Sequence, residues 1–278
     1  MLQIDERSIT QDTTRNLAPP ADLDCNRPIV LDLRPVGFVE PFGLVYLYWL
    51  VRSLVDRGGA PVTIRPPRSR DVRNYLVRMH FPQAFSEVER VVFDPDLSRV
   101  VVRETDLRER LLEVTTFTLL DDDQVRQLTG DVMETILTRG EDLPVETRYL
   151  RLGLIELLSN IEVHSQTRSG ILTVQRYGSS EVHIALGDGG IGIPEALRDV
   201  VGPLPDDEMV LQALDPHVSS RPGRGGLGLP TIVEEIKKTR GFMGIRSGRA
   251  HVKVSRNGAV SRCDCIPLPG TQVEIVWI

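Results

Sequence analysis

Glu156, Asn160 and His164 recur every fourth position in the run ELLSNIEVHS. Side chains four apart on an α-helix stack along one face, so these three make a polar stripe if the run is helical. Leu150, Leu154, Leu157, Leu158 and Ile161 fall on another side and make an apolar face. A carboxylate, a carboxamide and an imidazole in one row can divide labour. The first orients or deprotonates a water, the second offers its oxygen to a hard cation, and the third meets phosphate. The same stripe also suits the solvated side of an ordinary amphipathic helix, and the run alone does not choose between the two.

A second group lies downstream. The strand-like EVHIALGD runs into GGIGIP and sets Asp188 at a strand end, followed by Gly190 and Gly192. A carboxylate there presents two fixed acceptors, suited to an exocyclic amine such as that of adenine, and glycine lets backbone approach a flat ring. A plain strand-to-helix turn would look the same. Then comes the irregular PHVSSRPGRGGLG, residues 216–228, which enters a helix at about Leu229. Its glycines, Gly226 and Gly228 among them, make a loop ahead of a helix N-terminus that can receive phosphate. No glycine-lysine-serine or glycine-lysine-threonine follows, so this is not a P-loop. Arg221 and Arg224 could reach terminal phosphates, or be solvated loop arginines. Thr271 opens the last strand-like run and carries a hydroxyl that can meet a base or a bridging water.

The elements that must hold these residues follow from pattern. Residues 1–25 show neither helical nor strand period and contain Pro19-Pro20, which predicts a mobile leader. PIVLDL and PVTIRPP read as strands. GLVYLYWLVRSLVDRGG reads as a helix stopped at Gly58-Gly59, and DVRNYLVRMHF as a helix capped by Asp71. Residues 93–118 read as a bridge with the strand-like runs RVVVRET and LLEVTTFT. A helix is expected over about 124–137, and another from Pro144 that carries Glu156. With 278 residues, two domains are expected. A net charge of −6 provides no broad basic field, so no direct nucleic-acid binding is expected. Neither a signal segment nor a membrane span is visible, which predicts a cytoplasmic protein. Cys25, Cys263 and Cys265 read as free thiols.

Taken in order, the Asn160 stripe, the Asp188 turn, the glycine loop and Thr271 resemble the GHKL (histidine kinase-like) ATPase family. The resemblance spans about residues 119–278. It implies a Bergerat-type α/β sandwich with ATP and Mg2+ as cofactors. Glu156 is then the catalytic carboxylate, Asn160 the metal ligand and Asp188 the adenine reader. Gly190 and Gly192 lie beneath the nucleotide, Gly226 and Gly228 form the lid hinge, and Thr271 is a second contact near the base. His164 stands where relatives often keep a histidine or a basic residue, and with Arg221 and Arg224 it is a candidate to meet phosphate. The run VLDLRPVGFVEPFGLVYL, with the helix, RGG and strand after it, resembles the STAS domain, so residues 26–118 imply an interaction unit for a protein partner. Glu40-Pro41-Phe42-Gly43-Leu44 stands where relatives carry a phosphoacceptor serine, so that regulation is not expected here.

The overall expectation is an α/β protein, STAS-like then GHKL-like. It would be an ATP-binding regulator whose lid closes on Mg-ATP and hydrolyses it slowly while controlling a partner or a homodimer surface. A serine/threonine kinase of the anti-sigma-factor type and a non-hydrolysing nucleotide sensor stay open. A topoisomerase or chaperone is not expected, since the chain ends with the nucleotide region and no transducer follows.

Overall fold

The computed structural model describes residues 1–17, 19–20, 22–97, 100, 111–118, 121–137, 147–164, 167, 169–177, 181–218 and 228–278; the side chains of 111, 137, 147–149 and 162–164 also lie outside that description. Arg221, Arg224 and Gly226 therefore fall outside the described residues, as does the His164 side chain.

The N-terminal half is a four-stranded sheet in which every pair is parallel. It is built from β1 (Leu2–Gln3), β3 (Ile29–Asp32), β5 (Val62–Arg65) and β6 (Val91–Phe93), in the order β1-β3-β5-β6. A separate parallel pair joins β2 (Ser8–Ile9) to β4 (Phe38–Val39), and α1 (Gln11–Thr14) follows β2. The expected leader is thus folded through its first seventeen residues, with Ile9, Gln11 and Thr14 buried. Two-residue strands are too short to show a period, and their partners lie tens of residues away.

The main helix is α2 (Pro41–Gly58), with proline at its first position and Gly59 in the left-handed conformation as its C-cap, φ 65°. Proline suits that first position because the N–H it lacks has no helical partner there. Positions 41–44 are therefore the buried first turn of this helix, which begins two residues ahead of the expected start at Gly43. In α3 (Arg70–Arg78) the cap is Ser69, whose hydroxyl accepts from Val72 N; Asp71 lies inside the first turn.

The C-terminal half is a five-stranded sheet, antiparallel throughout. Its strands are β7 (Leu111–Thr118), β8 (Ser169–Tyr177), β9 (Glu181–Asp188), β10 (Phe242–Ser255) and β11 (Val260–Trp277), in the order β10-β11-β9-β8-β7. The long hairpin strand β10 was not foreseen. The strand period of two divides each strand between two environments. Val182, Ile184 and Leu186 of β9 and Val273 and Ile275 of β11 join one core with α4 (Asp122–Leu137), α5 (Thr147–His164) and α8 (Gly228–Lys237). Ile171 and Ala185 face the other way and join the N-terminal core around α2. The sheet therefore carries helices on one face and α2 on the other, where α2 packs on β8, β9 and β11. The short helices α6 (Gly192–Val201) and α7 (Asp206–Gln212) close the β10 side. Among the described residues no helix is long and apolar enough to cross a membrane.

Candidate functional site

β9 delivers Asp188 to the end of the sheet, 7% exposed. One carboxylate oxygen accepts from Gly190 N at 2.8 Å, and the Thr271 backbone also donates to this group. Burial pushes the carboxyl up to about 6, while the two backbone donors pull it down. An acid so held has acceptor sites left, because an ionised carboxylate has about four. It can read a donor such as an amino group on a flat ring.

Beside it lies a hydroxyl pair. Ser247 Oγ of β10 and Thr271 Oγ1 of β11 are 2.9 Å apart; Ser247 Oγ also accepts from Ile193 N at 2.8 Å and reaches Gly270 O at 3.2 Å. These bonds tie the start of α6 to the β10–β11 ribbon. Gly270 makes the approach possible. Its φ is +80°, and a Cβ there would lie 1.9 Å from Asp188 O and 2.8 Å from Oδ1. Gly192 also has φ +80°, and a Cβ would meet Ser247 Oγ at 2.8 Å. Left-handed backbone with no room for a side chain leaves glycine as the residue that fits both positions.

The second group is on the helical face. Glu156 and Asn160 sit one turn apart on α5, both half-buried. Gly228, the first residue of α8, is pressed against the former: a Cβ at 228 would lie 2.9 Å from Glu156 Cβ. Gly153, one turn before Glu156, meets Ile232 of α8 in the same way, 2.5 Å from Cγ1. Two small residues thus let α5 and α8 approach closely, and the first residue of α8 lies against the Glu156 side chain.

The predicted residues therefore gather in two groups. Asp188, Gly190, Gly192 and Thr271 cluster at the sheet end, while Glu156 and Gly228 meet at the α5–α8 contact, with Asn160 a turn along. The sequence reading missed Ser247 and Gly270. A Pro-Gly-Thr string entering a strand was the available signal for Gly270; Ser247 lies on the strand that was not foreseen.

No family model and no curated protein matches the chain. Among solved structures it is similar to the nucleotide-free catalytic domain of the histidine kinase ThkA, at 16% identity over 60% of this chain and 95% of that one, with a TM-score of 0.28.

Proposed function

We propose that the protein is an ATP-binding regulator of the GHKL type. The observation that carries this reading is the Asp188 environment: a buried acid, anchored by Gly190 N, in a cradle that side chains at 192 and 270 would fill. That arrangement suits adenine, whose ring needs close backbone and whose amine needs an acceptor. Asn160 would hold Mg2+ by its side-chain oxygen, and Glu156 would accept a proton from the attacking water. Magnesium, when bound, supplies neutralisation of phosphate charge. In this reading Gly226, Arg221 and Arg224 would belong to a lid ahead of Gly228, and His164 would meet phosphate. Closure of that lid would alter a surface read by a protein partner or a second copy of the chain, with the N-terminal STAS-like half as the interaction unit.

Thermal unfolding with and without Mg-ATP tests the reading. A ligand at about 100 times its Kd stabilises by about 2.7 kcal/mol, a rise of several degrees. Asp188→Asn is expected to abolish it. No rise in wild type, or an equal rise in the variant, would remove the nucleotide from this site. Labelled ATP then separates the chemistry: free phosphate means hydrolysis, label on a serine or threonine means the kinase reading, and neither means a sensor.

A further inference from the structure

We propose that Glu40, His183 and Glu274 form a binding site for a divalent transition metal of the Zn2+ type, which fastens the first turn of α2 to the back of the β9–β11 sheet. One ligand atom from each residue lies within 4.8 Å of the other two. They come from three places in the chain. Glu40 precedes α2, His183 lies in β9 and Glu274 in β11, the last two on the face away from α5 and α8. Val276 is the cross-strand partner of His183 and Ala185 that of Glu274, so the imidazole and carboxylate are diagonal neighbours on one face.

The chemistry of the donors fits. His183 Nε2 is 2.7 Å from Glu181 Oε1, and its Nδ1 is 3.1 Å from Glu274 Oε1. A bound metal would displace the proton that Nδ1 shares with Glu274, while Glu181 keeps the Nε2 proton, which gives the usual carboxylate–histidine–metal arrangement. Bonds of about 2.0–2.2 Å in a tetrahedral site put neighbouring donor atoms about 3.3–3.6 Å apart, so the 3.1 Å between Nδ1 and Oε1 need open by only a few tenths of an ångström. One imidazole and two carboxylates leave a fourth position for water.

One member of the cluster has a bonding capacity that its neighbours leave unmet. Glu274 is fully buried, and its Oε2 finds no hydrogen-bond partner among the described residues. An unmatched buried carboxylate oxygen is costly, and a cation removes that cost. Gln11 N donates to one Glu40 oxygen and holds that carboxylate beside the other two groups. Mixed nitrogen and oxygen donors favour zinc over magnesium, which prefers oxygen donors and keeps its waters.

The test uses the full chain, stripped with chelator and without nucleotide, titrated calorimetrically with ZnCl2 and melted with and without it. One zinc per chain and a raised Tm are expected, and a large excess of Mg2+ should not displace the zinc. Glu274→Gln should weaken binding at least about 100-fold. Glu181→Gln, which leaves all three ligands in place, should weaken it about 10–100-fold and decides the matter should the first variant fail to fold. Cys263, whose Sγ is 3.8 Å from His251 Nδ1, is the competing source of adventitious zinc, so Cys263→Ser should change nothing. Absence of uptake by the stripped chain, zinc retained fully in Glu274→Gln or in Glu181→Gln, or zinc lost in Cys263→Ser would each overturn the proposal. Without uptake, a Glu274→Gln variant that melts higher than wild type would mark a proton-sharing carboxyl pair instead.

Discussion

Trp49 of α2 covers Gly189, the residue after Asp188: a Cβ at 189 would lie 2.3 Å from Cζ3 of the indole. One turn earlier on the same helix, Val45 meets Gly187, at 3.0 Å from the corresponding Cβ. Four helical residues rise about 6 Å and two strand residues about 6.6 Å, so the pairs 45/49 and 187/189 stay in step. The alternate glycines of GDGG thus serve the N-terminal half as well as the proposed site. Packing of α2 and the setting of Asp188 are one structure.

Removing the indole should be felt in both. Trp49 is 5% exposed and stands edge-on to Tyr48, with ring centroids 5.1 Å apart. Trp49→Ala is expected to cost about 3–5 kcal/mol, the range for deleting a buried large aromatic, measured as a shift in the urea midpoint. A loss under about 1 kcal/mol would mean that α2 does not rest on the β9 turn as described.

Asp188 gives stability a pH dependence of unusual sign for an acid. Its carboxyl is raised from 3.8 to about 6 by burial, so the folded chain binds this proton more tightly than the unfolded one. The contribution is fully present below pH 3.8 and is lost as pH rises through 6; over that window the slope of stability from this group is negative. A rise from 3.8 to about 6 corresponds to roughly 3 kcal/mol at most. Asp188→Asn, neutral at every pH and still able to accept from Gly190 N, is expected to flatten that segment of the pH–stability curve. It should raise stability at pH 7–8 by about 1–3 kcal/mol while losing any response to nucleotide. A variant less stable than wild type at pH 8 would show that the charged acid is compensated by a partner other than those described.

What was legible in the sequence, and what was not, divides by range. The α5 stripe and the β9 strand end are local patterns, carried by helix spacing around Glu156 and by alternation up to Asp188, and both elements are there. The back face of the sheet was illegible. His183 and Glu274 occupy the positions of EVHIAL and QVEIVW that alternate with the apolar ones, which ordinarily signals a solvated face. Here α2 covers that face, so polar residues at alternate positions became buried ones. Nothing within either strand reveals this. The N-terminal segment was misread for the same reason, since its order comes from partners at residues 29–39 and 244–251 rather than from any pattern of its own.

Truncation tests that reassignment. His251 Nε2 lies 2.9 Å from Gln11 O, and a Cβ at Gly244 would meet the Gln11 amide, so residues 1–14 close over the β10 strand. Deleting them removes Ile4 and Ile9 from the core, each worth about 1.5–3 kcal/mol of burial. A loss of at least about 3 kcal/mol is expected in chemical denaturation. His251, whose imidazole is now held below its ordinary value by burial, should titrate closer to that value in NMR spectra of the truncated chain. A mobile leader would leave both measurements unchanged.

Glu156 separates binding from chemistry. Its carboxylate lies where α8 begins, against Gly228, and in the proposed function it acts on the phosphate end of the nucleotide while Asp188 takes the base. Glu156→Gln preserves size and shape, so the Mg-ATP melting shift should persist within about a degree, while release of labelled phosphate falls about 10²–10⁴-fold, the loss expected for a proton-accepting group. Asn160→Ala should do the converse, weakening the Mg2+-dependent part of binding. A Glu156→Gln variant with wild-type turnover would assign the proton transfer to another residue. One that bound no nucleotide would make Glu156 a positioning residue for α8, whose first turn it supports, and the site would have to be rebuilt around the α5–α8 contact.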